Sequence, residues 1–320
     1  MRALVTGGAG FLGSVLVDRL LAEGHAVDVI DDLSTGSLAN LADARADAGG
    51  AFSFHRLDVR GPEVIELLAH RRPEVVFHLA GHSGARASLS RPLMDAEVNI
   101  LGSLQVLEAA RLAGVRKVVY PCGAASLYGA VEAKQLPVTE AHAPRPATPH
   151  GVAAKAVWEY LSMYRVVHGL EFTALALGHV YGPRQDPGRD TGVVAILAGN
   201  LLAGRPCTIF GDGRQTLDLV FVDDVVDALA RAGEKGSGLL INVGTGVETS
   251  VNDLFGLIGA AAETASPATY LPARPGEAGR HCLNPARAEL HLGWKAWTTV
   301  DAGVDATVRW LRDQPGSSGS

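Results

Sequence analysis

The chain has 320 residues, 47% of them hydrophobic and 19% charged, which fits a globular protein with a full core and excludes an intrinsically disordered one. Its formal net charge is -6 with no dense block of Lys or Arg, which argues against nucleic acid and anionic membranes as partners. Three widely spaced cysteines without a C-x-x-C pair fit a reducing cytoplasm, and the lack of any apolar run of about 18 residues excludes an expected membrane span.

The first predicted element is a strand over 1–6, followed by Thr6-Gly7-Gly8-Ala9-Gly10-Phe11-Leu12-Gly13 and an apolar-periodic helix over 11–23. Glycines there let the backbone turn tightly, and the helix N-terminus offers unpaired N–H groups and a positive dipole end to a pyrophosphate. A second strand, 26–30, ends in Asp31-Asp32. A carboxylate about 20 residues past such a loop accepts hydrogen bonds from a ribose diol and repels a 2′-phosphate, which favours NAD over NADP. The alternative for Asp31 is a turn cap before Leu33-Ser34-Thr35-Gly36.

Further strands are expected at 51–57, 74–79, 116–121 and 172–177, alternating with helices near 62–70, 95–113 and 150–168. This alternation predicts an α/β, Rossmann-like, doubly wound parallel sheet over residues 1–177, covered on both faces. Past 178 the pattern loosens into a helix near 192–203, the loop Phe210-Gly211-Asp212-Gly213, a helix near 223–233 and a strand at 239–243. Residues 178–312 are therefore expected to form a smaller C-terminal α/β substrate-binding lobe, with the 239–243 strand able to return to the main sheet. Residues 313–320 read as a disordered tail, and the strand and glycine loop at the start leave no room for a signal peptide. Ligands are expected at the carboxyl ends of the strands.

These segments, with Leu57-Asp58-Val59, His78-Leu79-Ala80-Gly81, Val98-Asn99-Ile100-Leu101-Gly102, Val180-Tyr181-Gly182-Pro183-Arg184 and Asn242-Val243-Gly244-Thr245-Gly246, resemble the extended short-chain dehydrogenase/reductase superfamily. Within it they are most similar to the UDP-glucose 4-epimerase-like group of the NAD-dependent epimerase/dehydratase family. The glycine spacing G-x-x-G-x-x-G at 7, 10 and 13 agrees. The resemblance implies that Gly7, Gly10, Phe11, Leu12 and Gly13 hold the NAD pyrophosphate, with Asp31, Asp32, Ser34, Thr35 and Gly36 at the adenosine ribose. Asp58 and Val59 would flank adenine, Leu79, Ala80 and Gly81 would line the dinucleotide, and Asn99 and Lys155 would serve the nicotinamide side. A nucleoside diphosphate sugar would meet Ser88, Gly123, His179, Val193, Phe210, Gln215, Arg274 and Glu277, with Arg280 a further partner for its pyrophosphate. No metal is expected. A homodimer is, through helices near 95–113 and 150–168, with the apolar stripe Leu101, Leu104, Leu107 and Ala110 as a buried face of either core or subunit contact.

The chemistry departs from the family. Its reaction uses a tyrosine and a lysine four residues apart on one helix, and a Ser or Thr from the preceding strand end. Here Gly151 stands four before Lys155, and His150 stands five before it. Five residues rotate His150 about 140° from Lys155 on a regular helix, which a one-residue bulge would correct; alternatively the helix starts later and leaves His150 in the loop. The Ser/Thr position falls on Gly123 or Ala124, leaving Cys122 and Ser126 as the nearest polar groups. His179 replaces a usual Asn, and Leu217 a usual Arg. Two functions remain open. One is an NAD-dependent nucleotide-sugar epimerase (C4 epimerisation by transient oxidation) or related dehydratase, with His150 as proton acceptor, Lys155 as ribose clamp and Cys122 or His179 orienting the substrate. The other is an NAD-binding non-redox protein, or a redirected enzyme of the same fold acting on a different small molecule.

Overall fold

The structure is a computed structural model and describes residues 1–47, 49–82, 84–188, 192–264, 266–273 and 279–314. Of the tail expected over 313–320, residues 315–320 lie outside the described residues, as do the candidate residues Arg274 and Glu277, while Asp313 caps the helix Val300–Arg312, its N–H donating to the Arg309 carbonyl at 3.1 Å. Seven strands form one parallel sheet. In chain order they begin with β1 (Arg2–Thr6), β2 (Ala26–Ile30), β3 (Phe52–His55), β4 (Val75–His78), β5 (Lys117–Gly123) and β6 (Glu171–Leu177). The seventh, Leu239–Val243, does return to the sheet, pairing parallel to β6 (Leu239 opposite Thr173). The spatial order is Leu239–Val243, β6, β5, β4, β1, β2, β3.

β4 is buried at every position, as a central strand covered on both faces must be. Alternate residues feed two separate cores. Ala3, Val5, Val75 and Phe77 enter one, while Leu4, Val76, Val118 and Tyr120 enter the other. The chain runs β1, β2, β3 to one side and then crosses to β4 on the other side of β1, so the order reverses between β1 and β4. The loops after these two strands, Gly7–Gly10 and Leu79–Gly81 in position, flank that reversal, where ligands bind in such sheets.

The helix that follows β1, α1 (Phe11–Ala22), begins after Gly10 with no side-chain cap, which leaves its first N–H groups for a ligand. The helix expected near 95–113 is a composite of Pro92–Asp95, a π-helical segment Ala96–Leu101 and the α-helix Gly102–Ala113. On it the apolar stripe divides. Leu107 and Ala110 are buried in the core and Leu104 packs against it, whereas Leu101 is exposed. Past β6 the chain builds three two-stranded sheets, pairing His179–Tyr181 with Leu219–Phe221, Thr216–Leu217 with Thr249–Ser250, and Cys207–Phe210 with Ala268–Leu271. Among the described residues no helix is long and apolar enough to cross a membrane. Cys122, Cys207 and Cys282 are buried free thiols.

Candidate active site

A cavity of about 1510 Å³ opens at the carboxyl ends of β1, β4 and β5 and runs under the segments that follow β6. Single small-molecule sites are commonly about 300–1,000 Å³, so this one has room for a dinucleotide and a second ligand together. All of the glycine-loop, ribose, adenine and strand-end candidates from Gly7 to Asn99 that were assigned to the cofactor line it.

The glycine loop is shaped by what it excludes. Gly7 has φ +70°, and a Cβ there would sit 2.8 Å from the backbone nitrogen of Ala80. A Cβ on Gly13 would press on the backbone of Gly7 and Gly8, so α1 approaches β1 closely only because residue 13 has no side chain. Asp31 is buried and does two things. Its Oδ2 accepts from the Ala9 N–H (2.9 Å) and its Oδ1 from the Leu33 N–H (2.8 Å), so it fastens the glycine loop as well as the turn after β2. A carboxylate offers about four acceptor positions, so two remain for a ribose diol. Burial raises its proton affinity, and the two backbone donors oppose that. Asp58 caps its own turn, accepting from the Arg60 N–H at 2.9 Å, and its ion pair with Arg60 holds it below the usual carboxylate range. These residues fit NAD: backbone N–H groups for the pyrophosphate, Asp31 for the ribose, and no Cβ in the way.

Beneath the cavity at the end of β4 lies a hydrogen-bonded chain that the sequence did not announce. The Ala80 N–H donates to Thr6 Oγ1 (3.1 Å), which lies 2.8 Å from His78 Nδ1. His78 Nε2 lies 2.9 Å from Ser103 Oγ, and Ser103 donates to the Asn99 carbonyl at 2.6 Å. Because both hydroxyls have their other roles fixed, His78 carries its proton on Nε2. Burial lowers its pKa to about 4, so it stays neutral and structural. Asn99 itself is clamped: Oδ1 accepts from the His82 N–H (2.8 Å) while Nδ2 donates to Asp95 Oδ2 (3.0 Å).

The helix Pro149–His168 starts where Thr148 Oγ1 accepts from the Gly151 N–H (3.2 Å), with proline in the first turn. It is α-helical throughout, so the bulge that would align His150 with Lys155 is absent. The π segment lies on the facing element instead, at Ala96–Leu101. His150 and Ala154, four residues apart, line the cavity. Lys155 is half-buried on another face and is not among the described residues lining it. The position that would carry a lysine opposite His150 is thus Ala154. His150 Nδ1 lies 3.4 Å from Asn99 Nδ2 and 3.9 Å from Asp95 Oδ2. Burial lowers its proton affinity, and the Asp95 charge and the His82 carbonyl pull it partly back, which leaves a neutral imidazole with a carboxylate ready to steady its cation.

At the end of β5, Cys122, Gly123 and Ser126 line the cavity, while Ala124 is fully buried away from it. Burial pushes the Cys122 thiol up to about 12, so it acts only as a weak neutral donor. From the chain past β6, His179, Val193, Phe210, Gln215 and Leu217 line the same cavity. Ser88 does not: it is buried within the short helix Ala85–Ser90. Arg280 is committed elsewhere, its Nε donating to Glu248 Oε1 at 2.9 Å with a second bond between the same side chains. His82, Asp95, Tyr120 and His281 belong to the site or its support without having been singled out in sequence, because their places in the site depend on partners distant in the chain. Among the described residues no group of three His, Cys, Asp or Glu side chains is arranged to hold a metal ion.

Comparison with known proteins gives a consistent answer. The family model described as NAD dependent epimerase/dehydratase family matches residues 3–244. A UDP-glucose 4-epimerase of Mycolicibacterium smegmatis is 45% identical, covering 98% of this chain and 99% of that protein. A dTDP-glucose 4,6-dehydratase of Actinoplanes is 30% identical, covering 98% of each. Among solved structures, UDP-glucose 4-epimerase from Thermotoga maritima with UDP-glucose superposes with TM-score 0.93 at 38% identity, covering 98% of this chain and 99% of that one. The Thermus thermophilus UDP-glucose 4-epimerase complex with NAD gives TM-score 0.90 at 37% identity over the same shares.

Proposed function

The chain belongs to the NAD-dependent epimerase/dehydratase family, and from that premise we propose that it is a nucleotide-sugar 4-epimerase, or a related dehydratase, whose proton acceptor is His150. One observation carries the reading: His150 is the titratable side chain that the helix Pro149–His168 presents to the cavity, held beside Asn99 and Asp95 at 3.4 and 3.9 Å.

When bound, NAD supplies reversible hydride acceptance at a sugar carbon. The glycine loop and Asp31 bind it, and the buried chain from Ala80 to Asn99 keeps the nicotinamide side rigid. His150, neutral in its half-buried place, takes the proton from the sugar hydroxyl as that carbon is oxidised, and returns it when the ketone is reduced. Asp95 steadies the imidazolium in between, the role a nearby lysine could not play. The test is interconversion of UDP-glucose and UDP-galactose by the purified protein with NAD, followed by NMR. His150→Ala should lower kcat by roughly two to four orders of magnitude while NAD binding persists. No interconversion, with no reduced-nicotinamide absorbance on adding either sugar, overturns the reading.

A second reading draws on Ala154 and Ala124, which remove the lysine and the hydroxyl together. It is an NAD-binding protein that performs no hydride transfer. A primary kinetic isotope effect on the interconversion of UDP-glucose deuterated at C4, or migration of that label in a dehydration product, excludes it.

The same proposal includes a homodimer and a reducing compartment such as the cytoplasm. Exposed Leu101, Val152, Tyr160, Met163, Val166 and Val167 on the two paired helices support the first, with Val166 83% exposed. Three buried free cysteines support the second. Sedimentation at micromolar concentration tests the dimer, and a monomer there overturns it.

A further inference from the structure

We propose that His179 and His281 form a paired-imidazole subsite that receives the anionic diphosphate of the ligand and takes up a proton as that ligand binds. The inference rests on the nucleotide-sugar reading above and adds to it where the charge is held. His179 opens the short strand His179–Tyr181, its N–H donating to the Asp218 carbonyl at 2.7 Å. His281 is brought in by an unrelated contact, its N–H donating to the Thr216 carbonyl at 3.1 Å. The two rings meet edge to face, 5.6 Å between centroids and 82° between planes, and both line the cavity.

The pair is not made for its own structure. His281 is only 2% exposed, yet among the described residues neither of its ring nitrogens has a hydrogen-bond partner. His179 Nδ1 is likewise buried and unpartnered. A buried polar group is almost always satisfied, so three idle nitrogens on one wall of a ligand cavity point to a ligand. On the nucleotide-sugar reading, the ligand group that meets this pair is the anionic diphosphate. Among the described residues Arg60, Arg86, Arg184 and Arg205 also line the cavity, but Arg184 is paired with Asp18 at 2.7 Å, Arg60 is paired with Asp58, and Arg205 donates to Asn200 Oδ1 at 3.1 Å, while Leu217 carries no charge. A diphosphate moved out of water needs a counter-charge, and an imidazole can gain one by binding a proton.

The other titratable groups around the pair do not replace it. Asp218 is saturated by Leu283 N–H, Gly246 N–H and both donors of Thr245, and it favours a proton on His179. Arg280 and Glu248 neutralise each other, and burial pushes Cys282 up to about 11. His150 and Cys122 line the same cavity from the sheet side. Without ligand, burial holds both His179 and His281 down at about 4, so near neutral pH both are uncharged. An arriving anion raises that value. Affinity should therefore weaken about tenfold per pH unit as pH rises, up to the pKa of the complex.

The experiment is calorimetric titration of the NAD-loaded full chain with UDP-glucose, and separately with inorganic pyrophosphate, from about pH 5.5 to 8.5 in buffer pairs of different ionisation enthalpy. The expected result is uptake approaching one proton per UDP-glucose at the acid end. The double variant His179→Asn, His281→Gln, with NAD binding retained, should show no uptake and a flat profile. If that variant loses NAD binding, the wild-type proton count decides alone. UDP-glucose binding with no uptake overturns the paired subsite and leaves the substrate class standing. Uptake that persists in the double variant overturns it as well. Pyrophosphate uptake that the variant abolishes, with no binding of UDP-glucose, sustains the subsite and overturns the substrate class.

Discussion

Gly13→Ala is the sharpest test of the cofactor loop, because a single methyl group is set against backbone. An ideal Cβ at 13 would lie 2.9 Å from both Gly7 C and Gly8 Cα, and closer still to the Gly7 carbonyl oxygen. Carbon atoms pack at about 3.5–4.0 Å, so the helix start must separate from the glycine turn by at least about 0.6 Å. None of the three atoms belongs to a side chain that could rotate away. In a free helix the same change would help by about 1 kcal/mol. Here overpacking should cost about 1–3 kcal/mol net of that gain. The control is Gly256→Ala, in the exposed middle of the helix Val251–Ala261, where nothing lies within 4 Å of an added Cβ. It should stabilise by about 0.5–1 kcal/mol. Urea unfolding of both variants measures the contrast. Because displaced loop N–H groups no longer meet the pyrophosphate together, NAD should bind at least about tenfold more weakly to Gly13→Ala, or about 1.4 kcal/mol. If Gly13→Ala matches Gly256→Ala in stability and keeps its NAD affinity within about twofold, the close approach of α1 to β1 does not shape the site.

Three further outcomes are expected. Burial lowers the proton affinity of His150, so its base form persists below the ordinary histidine range near 6.5. Thus kcat, which does not carry the proton taken up on substrate binding, should stay level from neutral pH down past about 6.5 and fall only in acid, whereas a midpoint above 7 would exclude His150 as the base. Lys155→Ala should leave NAD affinity and turnover within about twofold, since the side chain lies off the cavity wall; a loss of tenfold or more would bring it back into the site. Tyr128→Phe removes the 2.7 Å bond to buried Asn242 Oδ1 that ties the short helix Ala124–Tyr128 after β5 to the strand Leu239–Val243. It should cost about 1–3 kcal/mol in urea unfolding with NAD binding unchanged, and a neutral result would mean that water already satisfies Asn242.

The sheet was legible because parallel strands covered on both faces must be nearly continuous runs of apolar residues, as Val75-Val76-Phe77 is. The glycine loop and Asp31 were legible because spacing alone puts them at one strand end. Other features depended on partners distant in sequence. That Leu239–Val243 completes the main sheet is decided by β6, not by its own residues. His281 sits in a stretch with no periodicity, and it reaches the cavity through isolated bridges such as Thr216 to Arg280 and Val138 to Leu283. The phase of His150 against Lys155 was a question the sequence could pose but not answer. A one-residue bulge in that helix, or a later helix start, was compatible with it, and the structure shows a regular α-helix from Pro149 that includes His150.

That choice explains why one half of the cavity keeps its pattern while the other does not. Cofactor recognition here is made mostly by backbone, through glycines whose absent Cβ atoms leave room and through N–H groups that no substitution elsewhere can remove. Proton transfer, on the function proposed above, depends on one side chain at one point. With the helix Pro149–His168 regular, only positions in phase with Gly151's neighbours, His150 and Ala154, face the reacting end. Asn99 and Asp95 on the facing element then receive an imidazole, and its proton affinity is set by burial against one carboxylate rather than by a lysine cation. A neutral base needs no cation beside it, since a cation would only disfavour the imidazolium. If His150 is the acceptor, the alanine at 154 is therefore a requirement of the chemistry: Ala154→Lys should lower kcat rather than restore it. A rise in kcat for that variant would show that the imidazole is not the base.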